Sequence, residues 1–436
     1  MQNLRQRRLI FLAVAVFATV SVSRTQQMPS AAEQFRNLTS ELRKARDQKD
    51  WQSYLLNSQK LSALEQGAPR THLQLALAEL RAGDHQKAFE ELRYFAQMGQ
   101  AVDLVAASPD FSTIREDPRF KAMSDSMAAN QAPISHASIA FDLAEAGLVP
   151  EDIDYDPHSS RFFLTSVQKK KIISVDANGK AEDFAQSPDS WPMMALKIDS
   201  RRRLLWATEV ALNGFNSVPK SDWGRSAVLC YDLQTRKLVR RIEGPSHSAL
   251  GDAVLTNDGD LIVSDGEGGG IYRVPNGGKE LQRMDKGDFI SPQTPVMHPD
   301  GRHVFVPDYL RGIAVFDLKT GQVRWIAMAN KYALNGIDGL YFHAGILLAV
   351  QNGTSPERVS VFKLDRALSS VVSEEEIERS TPTLGDPTHG VIVHHEFYYI
   401  ANSGWDTLDD NGNPKADAKP TPAHIMRAHI PPNAAN

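Results

Sequence analysis

The sequence predicts a mainly β fold, a six-bladed β-propeller, preceded by a small α-helical domain. Three observations carry this. Between residues 31 and 124 apolar side chains recur at three- and four-residue spacing, the period of a helix face. From about Ile139 the period switches to two, in short runs rich in Val, Ile, Leu, Phe and Tyr. Beyond the switch, a unit of short strands and tight turns recurs six times at a mean spacing of about 48 residues. Four-stranded units at such a period are the blades of a propeller.

Composition narrows the class. The chain has 436 residues, with 48 Lys and Arg against 53 Asp and Glu, a net charge of −5. An acidic balance without a basic stripe argues against a nucleic-acid partner. Hydrophobic residues at 42% and charged residues at 23% match a globular chain and exclude a disordered or fibrous one. The single cysteine, Cys230, excludes an internal disulfide and any cysteine-based metal cage. Flanked by Val228, Leu229 and Tyr231, it reads as a buried thiol.

Residues 1–23 read as a signal peptide. Arg5, Arg7 and Arg8 precede an apolar run over 9–20, followed by the small residues Ser21-Val22-Ser23. That run is shorter than the roughly 20 residues that cross a bilayer. The expectation is export, to the periplasm or the medium, with no membrane span left after cleavage; the alternative is an uncleaved N-terminal anchor. Helices are expected over 33–48 and 51–65. Two more are marked by Leu73, Leu75, Ala76, Ala78 and Leu80, then by Ala88, Phe89, Leu92 and Phe95, with the break at Gly83-Asp84. This pattern resembles one tetratricopeptide-type hairpin, in a helical domain spanning 31–124. A protein partner on its surface is one expectation, a plain cap on the neighbouring domain the other. Residues 125–137, small and polar with Pro133, read as a linker, and 138–432 as the propeller.

Within the propeller the expected strands include 161–167, 204–208, 260–264, 303–307 and 396–401. The turns carry Asn257-Asp258-Gly259, Pro299-Asp300-Gly301, Asn178-Gly179 and Thr320-Gly321. Blades begin near Glu151, Met194, Asp252, Gln293, Asp338 and His389, and residues 210–225 form an insertion in the second. Only three strands follow His389, so the fourth should come from 137–143, which would remove an open edge and close the ring.

The innermost strand of each blade lines the axis, so its first residue faces a shared mouth. Glu151 with Asp152, Met194, Asp252, Gln293, Asp338 and His389 hold those places. Crowded acids repel one another and are costly to desolvate unless a cation lies among them. Oxygen ligands suit Ca²⁺ or Mg²⁺. The alternative is that these acids cap backbone N–H groups in the channel.

Here the chain resembles the six-bladed propellers of the gluconolactonase/regucalcin type and, more distantly, the paraoxonases. The matching stretches are Pro150-Glu151-Asp152, Leu250-Gly251-Asp252, Pro292-Gln293-Thr294 and Ile337-Asp338-Gly339. The resemblance implies a metal at the mouth, held by a Glu opening blade one, Asn residues opening blades three and four, and an Asp opening blade five. Glu151 and Asp338 match. The blade-three position falls on Gly251, beside Asp252, and Gln293 replaces the blade-four Asn. The implied metal ligands are therefore Glu151, Asp252, Gln293 and Asp338, with Ca²⁺ foremost and Mg²⁺, Mn²⁺ or Zn²⁺ as alternatives. The implied chemistry is hydrolysis of a lactone or ester, with Asp338 as general base and His389 assisting proton transfer or meeting the substrate; the alternative for His389 is a channel-lining histidine bonded to backbone. His247 is a further candidate for the mouth, whereas His394 and His395 occupy a turn and should face solvent.

Other motifs fail. Gly266-Glu267-Gly268-Gly269-Gly270 joins two strands rather than a strand and a helix. No Gly-x-Ser-x-Gly elbow occurs, and His395-Glu396 lacks a second histidine at zincin spacing. Two functions remain: a metal-dependent hydrolase acting on a small molecule at the channel mouth, and a non-catalytic propeller that binds a ligand or protein.

Overall fold

A computed structural model describes residues 29–329, 331–419 and 421–430. The stretch read as a signal peptide lies outside the described residues.

Six helices open the described chain, each start marked by local chemistry. Ser30 and Glu33 form a capping box ahead of α1 (Ala31–Asp47), and Asp50 caps α2 (Trp51–Leu64). Pro69 opens α3 (Pro69–Arg81), and Gly83, at φ +86°, lets the chain turn into α4 (His85–Gln97), capped by Asp84. The short α5 (Leu104–Ala107) and a 3₁₀ turn over Pro109–Ile114 lead to α6 (Pro118–Asn130). From α3 onward they share a core of Ala76, Ala88, Leu92, Phe95, Phe111 and Ile114, while α1 and α2 pack on Ala78 of α3 through Leu42, Ala45, Tyr54 and Leu61.

The segment 125–137 is not a linker. Its first part continues α6 to Asn130, because Met127 buries against the helical core. Ile134–Ser135 then pairs with Val371–Arg379 as a fifth strand, and Ala137 begins another strand. Small polar composition concealed a helix end that is anchored by one apolar side chain.

The rest of the described chain forms six sheets arranged as blades. Their first strands are Pro150–Asp156, Met193–Asp199, Leu250–Leu255, Val296–Met297, Gly339–His343 and Gly390–Val393. Each first strand touches the next around the ring, and the last returns to the first. Ring closure is as expected: Ala137–Asp142 pairs antiparallel with His424–His429, with Ile139 opposite Met426 and Phe141 opposite Ile425. Leu143 N–H continues the pairing to the Ala423 carbonyl.

The helices lie on loops at the mouth end of blades three to five. Ala31 N–H donates to the Gly287 carbonyl (2.8 Å) and Ala101 N–H to that of Ser355 (2.6 Å). Arg358, fully buried in blade five, donates to the Met98 carbonyl and pairs with Glu376. On the other side two loops cross the mouth face. The blade-two insertion and the long loop that follows Ile400 in blade six meet through Asn216 N–H to the Asn411 carbonyl and through the rings of Phe215 and Trp405, 6.1 Å apart. Val149, Trp191, Phe215, Val218 and Leu408 form the apolar cluster under this bridge.

Candidate functional site

Bulges set the orientation of the mouth residues. In blade one Pro150 pairs with Ser166 and Ile153 with Leu164, leaving Glu151 and Asp152 opposite the single residue Thr165. Blade two repeats this at Met194 and Ala195 opposite Thr208, and blade three bulges at Gly251. A bulge re-aims a side chain and frees a backbone N–H. Here strand hydroxyls answer it: Thr165 Oγ1 accepts from Asp152 N–H and Thr208 Oγ1 from Ala195 N–H, both at 3.0 Å. Asp252 thereby follows the bulge and faces the axis, with Gly251 spent on the turn of the backbone.

The buried acids divide by what compensates them. Asp265 and Asp308 end second strands and accept loop N–H groups, from Ala249 and Gly268 and from Ile290, Ser291 and Leu310 respectively. They are caps. Asp152 is matched by Lys197 Nζ (2.7 Å) and by the N–H groups of Leu196 and Ile153. Asp252 is matched by His389, whose Nε2 lies 2.5 Å from Oδ1, and by the Thr294 hydroxyl at 2.8 Å.

Glu151 and Asp338 are compensated less. Among the described residues Glu151 accepts one side-chain donor, the Trp405 indole N–H at 2.5 Å, and Asp338 one, Asn352 Nδ2 at 3.0 Å. Both are over 90% buried. With His389 they offer ligand atoms that all lie within 4.8 Å of one another. Burial, then the facing Asp338 charge, pushes the Glu151 carboxyl above the ordinary range. Burial likewise raises Asp338, with His389 pulling it back and Asp252 adding to the rise. Two buried carboxylates whose charged forms are disfavoured by burial and by neighbouring acids are chemically suited to a hard divalent cation, which would compensate them.

His389 is not a free base. Its Nδ1 lies 2.7 Å from the Glu151 carbonyl, an acceptor only, so Nδ1 carries a proton. Its Nε2 faces the Asp252 carboxylate. Burial opposes a charged ring, but Asp252, Asp338 and Asp152 outweigh it and hold the pKa well above the ordinary value. Both nitrogens are engaged and the residue is 1% exposed. His389 therefore positions the Glu151 backbone and Asp252 and supplies a fixed positive charge.

Gln293 does not join the cluster by a hydrogen bond. Its amide N–H donates to Ser291 Oγ at 3.1 Å. The residue bonded inward is its neighbour Thr294, between Asp252 and the Asp338 carbonyl. Pro292 and Pro295 shorten the regular blade-four strand to Val296–Met297, so the first-residue rule points one position early. His247, His394 and His395 are exposed. Cys230 is buried, and burial pushes its thiol up to about 11.

Three site residues escaped the sequence: Asn352, Tyr309 and Trp405. Tyr309 donates to Asn352 Oδ1 at 3.0 Å, which fixes the amide so that its N–H₂ faces Asp338. All three lie on loops leaving second strands, the other set of loops at a propeller mouth. Applying the blade repeat to those loops would have found Tyr309 and Asn352, each just beyond a second strand. A cavity of about 310 Å³ opens beside the cluster, lined by Leu148, Pro150, Lys169, Ser403, Asp406 and Thr407 among others. It does not include the carboxylates but borders Glu151 through Pro150.

The cluster has a pH consequence. The folded, cation-free chain keeps a proton on Glu151 above the ordinary carboxyl value of 4.5, where the unfolded chain releases it. Stability contributed by this group should therefore fall as pH rises beyond that value, and the fall should end above the raised pKa. In chelator, the melting temperature of the wild type should drop more steeply between about pH 5 and 8 than that of Glu151→Gln. Parallel profiles would contradict the assignment.

No protein-family model matches the chain, and no curated protein does. Solved structures similar to it include a gluconolactonase from Xanthomonas campestris (TM-score 0.48, 15% identity, 70% of this chain and 93% of that one). A calcium-binding regucalcin from Agrobacterium tumefaciens gives TM-score 0.46 and 16% identity over 67% of this chain and 97% of its own. The PQQ-bound aldose sugar dehydrogenase of Streptomyces coelicolor gives 0.47 and 12% over 68% and 99%. The six-bladed architecture rests on the sheets described above.

Proposed function

We propose that the chain is an exported, divalent-cation-dependent hydrolase of lactones or related esters, working at the propeller mouth. The observation that supports this most is the convergence of Glu151 and Asp338, buried and under-compensated, at the end of the channel. These two carboxylates would hold the ion, Ca²⁺ foremost. When bound, it would polarise a carbonyl as a Lewis acid. Asn352 bonds Asp338 through Oδ2, which leaves Oδ1 to orient a water and take its proton as general base. Trp405 fixes Glu151 and, with Phe215, shields it from bulk water. The cavity bordered by Pro150 and Ser403 is the proposed seat of the small-molecule substrate. Among the described residues no helix is long and apolar enough to cross a membrane. The tetratricopeptide-like reading of α3 and α4, and a protein partner on their outer face, belong to the same proposal.

A second function, a binding propeller without catalysis, is favoured by two contacts: Asp252 is committed to His389, and Gln293 to Ser291. Elemental analysis of the purified protein, followed by assays on a lactone panel with and without chelator, separates the two. Hydrolysis lost on chelation and restored by Ca²⁺ is the expected result. Cation bound without hydrolysis of any lactone would favour the binding propeller, and hydrolysis indifferent to chelator would reject metal dependence.

A further inference from the structure

The turn between the first two strands of blade four lies at the end of the propeller opposite the mouth. Its sequence is His298-Pro299-Asp300-Gly301-Arg302-His303. Gly301, at φ +68°, allows the tight reversal, closed by Gly301 N–H to the His298 carbonyl. Asp300 Oδ1 caps this turn by accepting from Arg302 and His303 N–H, at 2.8 and 2.9 Å. Its other oxygen, Oδ2, is not needed for the turn. It faces His303 Nδ1 at 2.6 Å and His298 Nδ1 at 3.1 Å.

We propose that His298, Asp300 and His303 form a second metal site, at the base of the propeller, that takes a borderline divalent cation of the Zn²⁺ class. Two imidazole nitrogens and one carboxylate oxygen offer ligand atoms that all lie within 4.8 Å of one another. Such an N₂O set suits Zn²⁺, Co²⁺ or Ni²⁺, whereas the all-oxygen mouth suits Ca²⁺ or Mg²⁺. Tetrahedral bonds of about 2.0–2.1 Å place ligand atoms roughly 3.3 Å apart, so the two carboxylate–imidazole separations, 2.6 and 3.1 Å, need open only by tenths of an ångström. One ring is already fixed: His298 sits edge-on to Phe305 (5.8 Å) and to Phe342 (5.5 Å), and its Nδ1 accepts a long hydrogen bond from Asp300 N–H (3.3 Å) that a metal would have to replace. The other two have room to adjust, with side chains 38% (Asp300) and 29% (His303) exposed. The neighbouring cation, Arg302, is drawn off by Asp317 and leaves the site's negative charge to the metal. A fourth position would be left to water or to a ligand from outside the chain.

The test uses the full chain loaded with Ca²⁺, titrated with Zn²⁺ in a calorimeter and with Co²⁺ by visible absorption. One equivalent of Zn²⁺ should bind, Co²⁺ should give tetrahedral d–d bands, and both should persist in Asp338→Ala. His303→Ala, on the exposed side of the turn, and the double variant His298→Gln/His303→Gln should lower Zn²⁺ affinity by more than roughly 100-fold, since even changes to outer partners of a metal ligand cost about 10–100-fold. Circular dichroism should be unchanged. Zn²⁺ affinity retained in both variants, lost in Asp338→Ala, or absent from the folded wild type at about 1 mM would overturn the proposal.

Discussion

Asp252→Ala is expected to destabilise the fold by roughly 3–5 kcal/mol, the scale of breaking a buried ion pair from one side. Asp252 is 2% exposed and His389 1%, and their contact spans the channel from blade three to blade six. Removing the carboxylate leaves an imidazolium without its partner in a site that burial already disfavours. The ring must then lose its Nε2 proton or remain uncompensated, and the Thr294 hydroxyl loses one acceptor. Replacing both groups by neutral ones should cost less than the sum of the single changes, because neither charge is then stranded. Denaturant melts of Asp252→Ala, Asp252→Asn, His389→Gln and the Asp252→Asn/His389→Gln double variant check this. A wild-type midpoint in Asp252→Ala, or strict additivity, would remove the ion pair from the account.

The second large effect concerns ring closure. Phe141 lies on the closing strand, 6% exposed, with its ring 5.2 Å from Phe162 of blade one. Phe141→Ala should cost about 3–5 kcal/mol, the usual range for truncating a buried Phe. Deleting residues 137–142 should do more. It strips the outer edge of His424–His429 and uncovers Ile425, Met426 and Ala428. An exposed apolar edge pairs with other chains. The deletion variant should therefore scatter light and refold poorly, whereas a monomer with an unchanged midpoint would show that blade six stands without it.

The ring was legible because its signal repeats. Six copies of the same strand–turn pattern reinforce one another, and the three-strand remainder after His389 left one place for residues 137–142 to pair. The carboxylates Glu151, Asp252 and Asp338 were legible for the same reason, each lying at the same point of its blade. What was not legible is what each faces. The bulge at Gly251 decides whether position 251 or 252 meets the axis, and the prolines around Gln293 shift the inward residue to Thr294. His389 and Asp252 are 137 residues apart, so no local pattern pairs them. Trp405 reaches Glu151 from an irregular loop with no repeat behind it. The helix end at Asn130 was hidden because its interior contact is Met127 in a run of Ser, Ala and Asp.

Glu151 and Asp338 are proposed to hold a divalent cation together. Calorimetric titration of Ca²⁺ into chelator-treated wild type and Asp338→Ala tests it most directly. The wild type should bind one equivalent at the mouth and gain thermal stability from it. Asp338→Ala, still folded by far-ultraviolet dichroism, should lose most of that affinity, and Asp338→Asn should lose less because its amide oxygen can still coordinate. Equal Ca²⁺ affinity in wild type and Asp338→Ala would contradict the account.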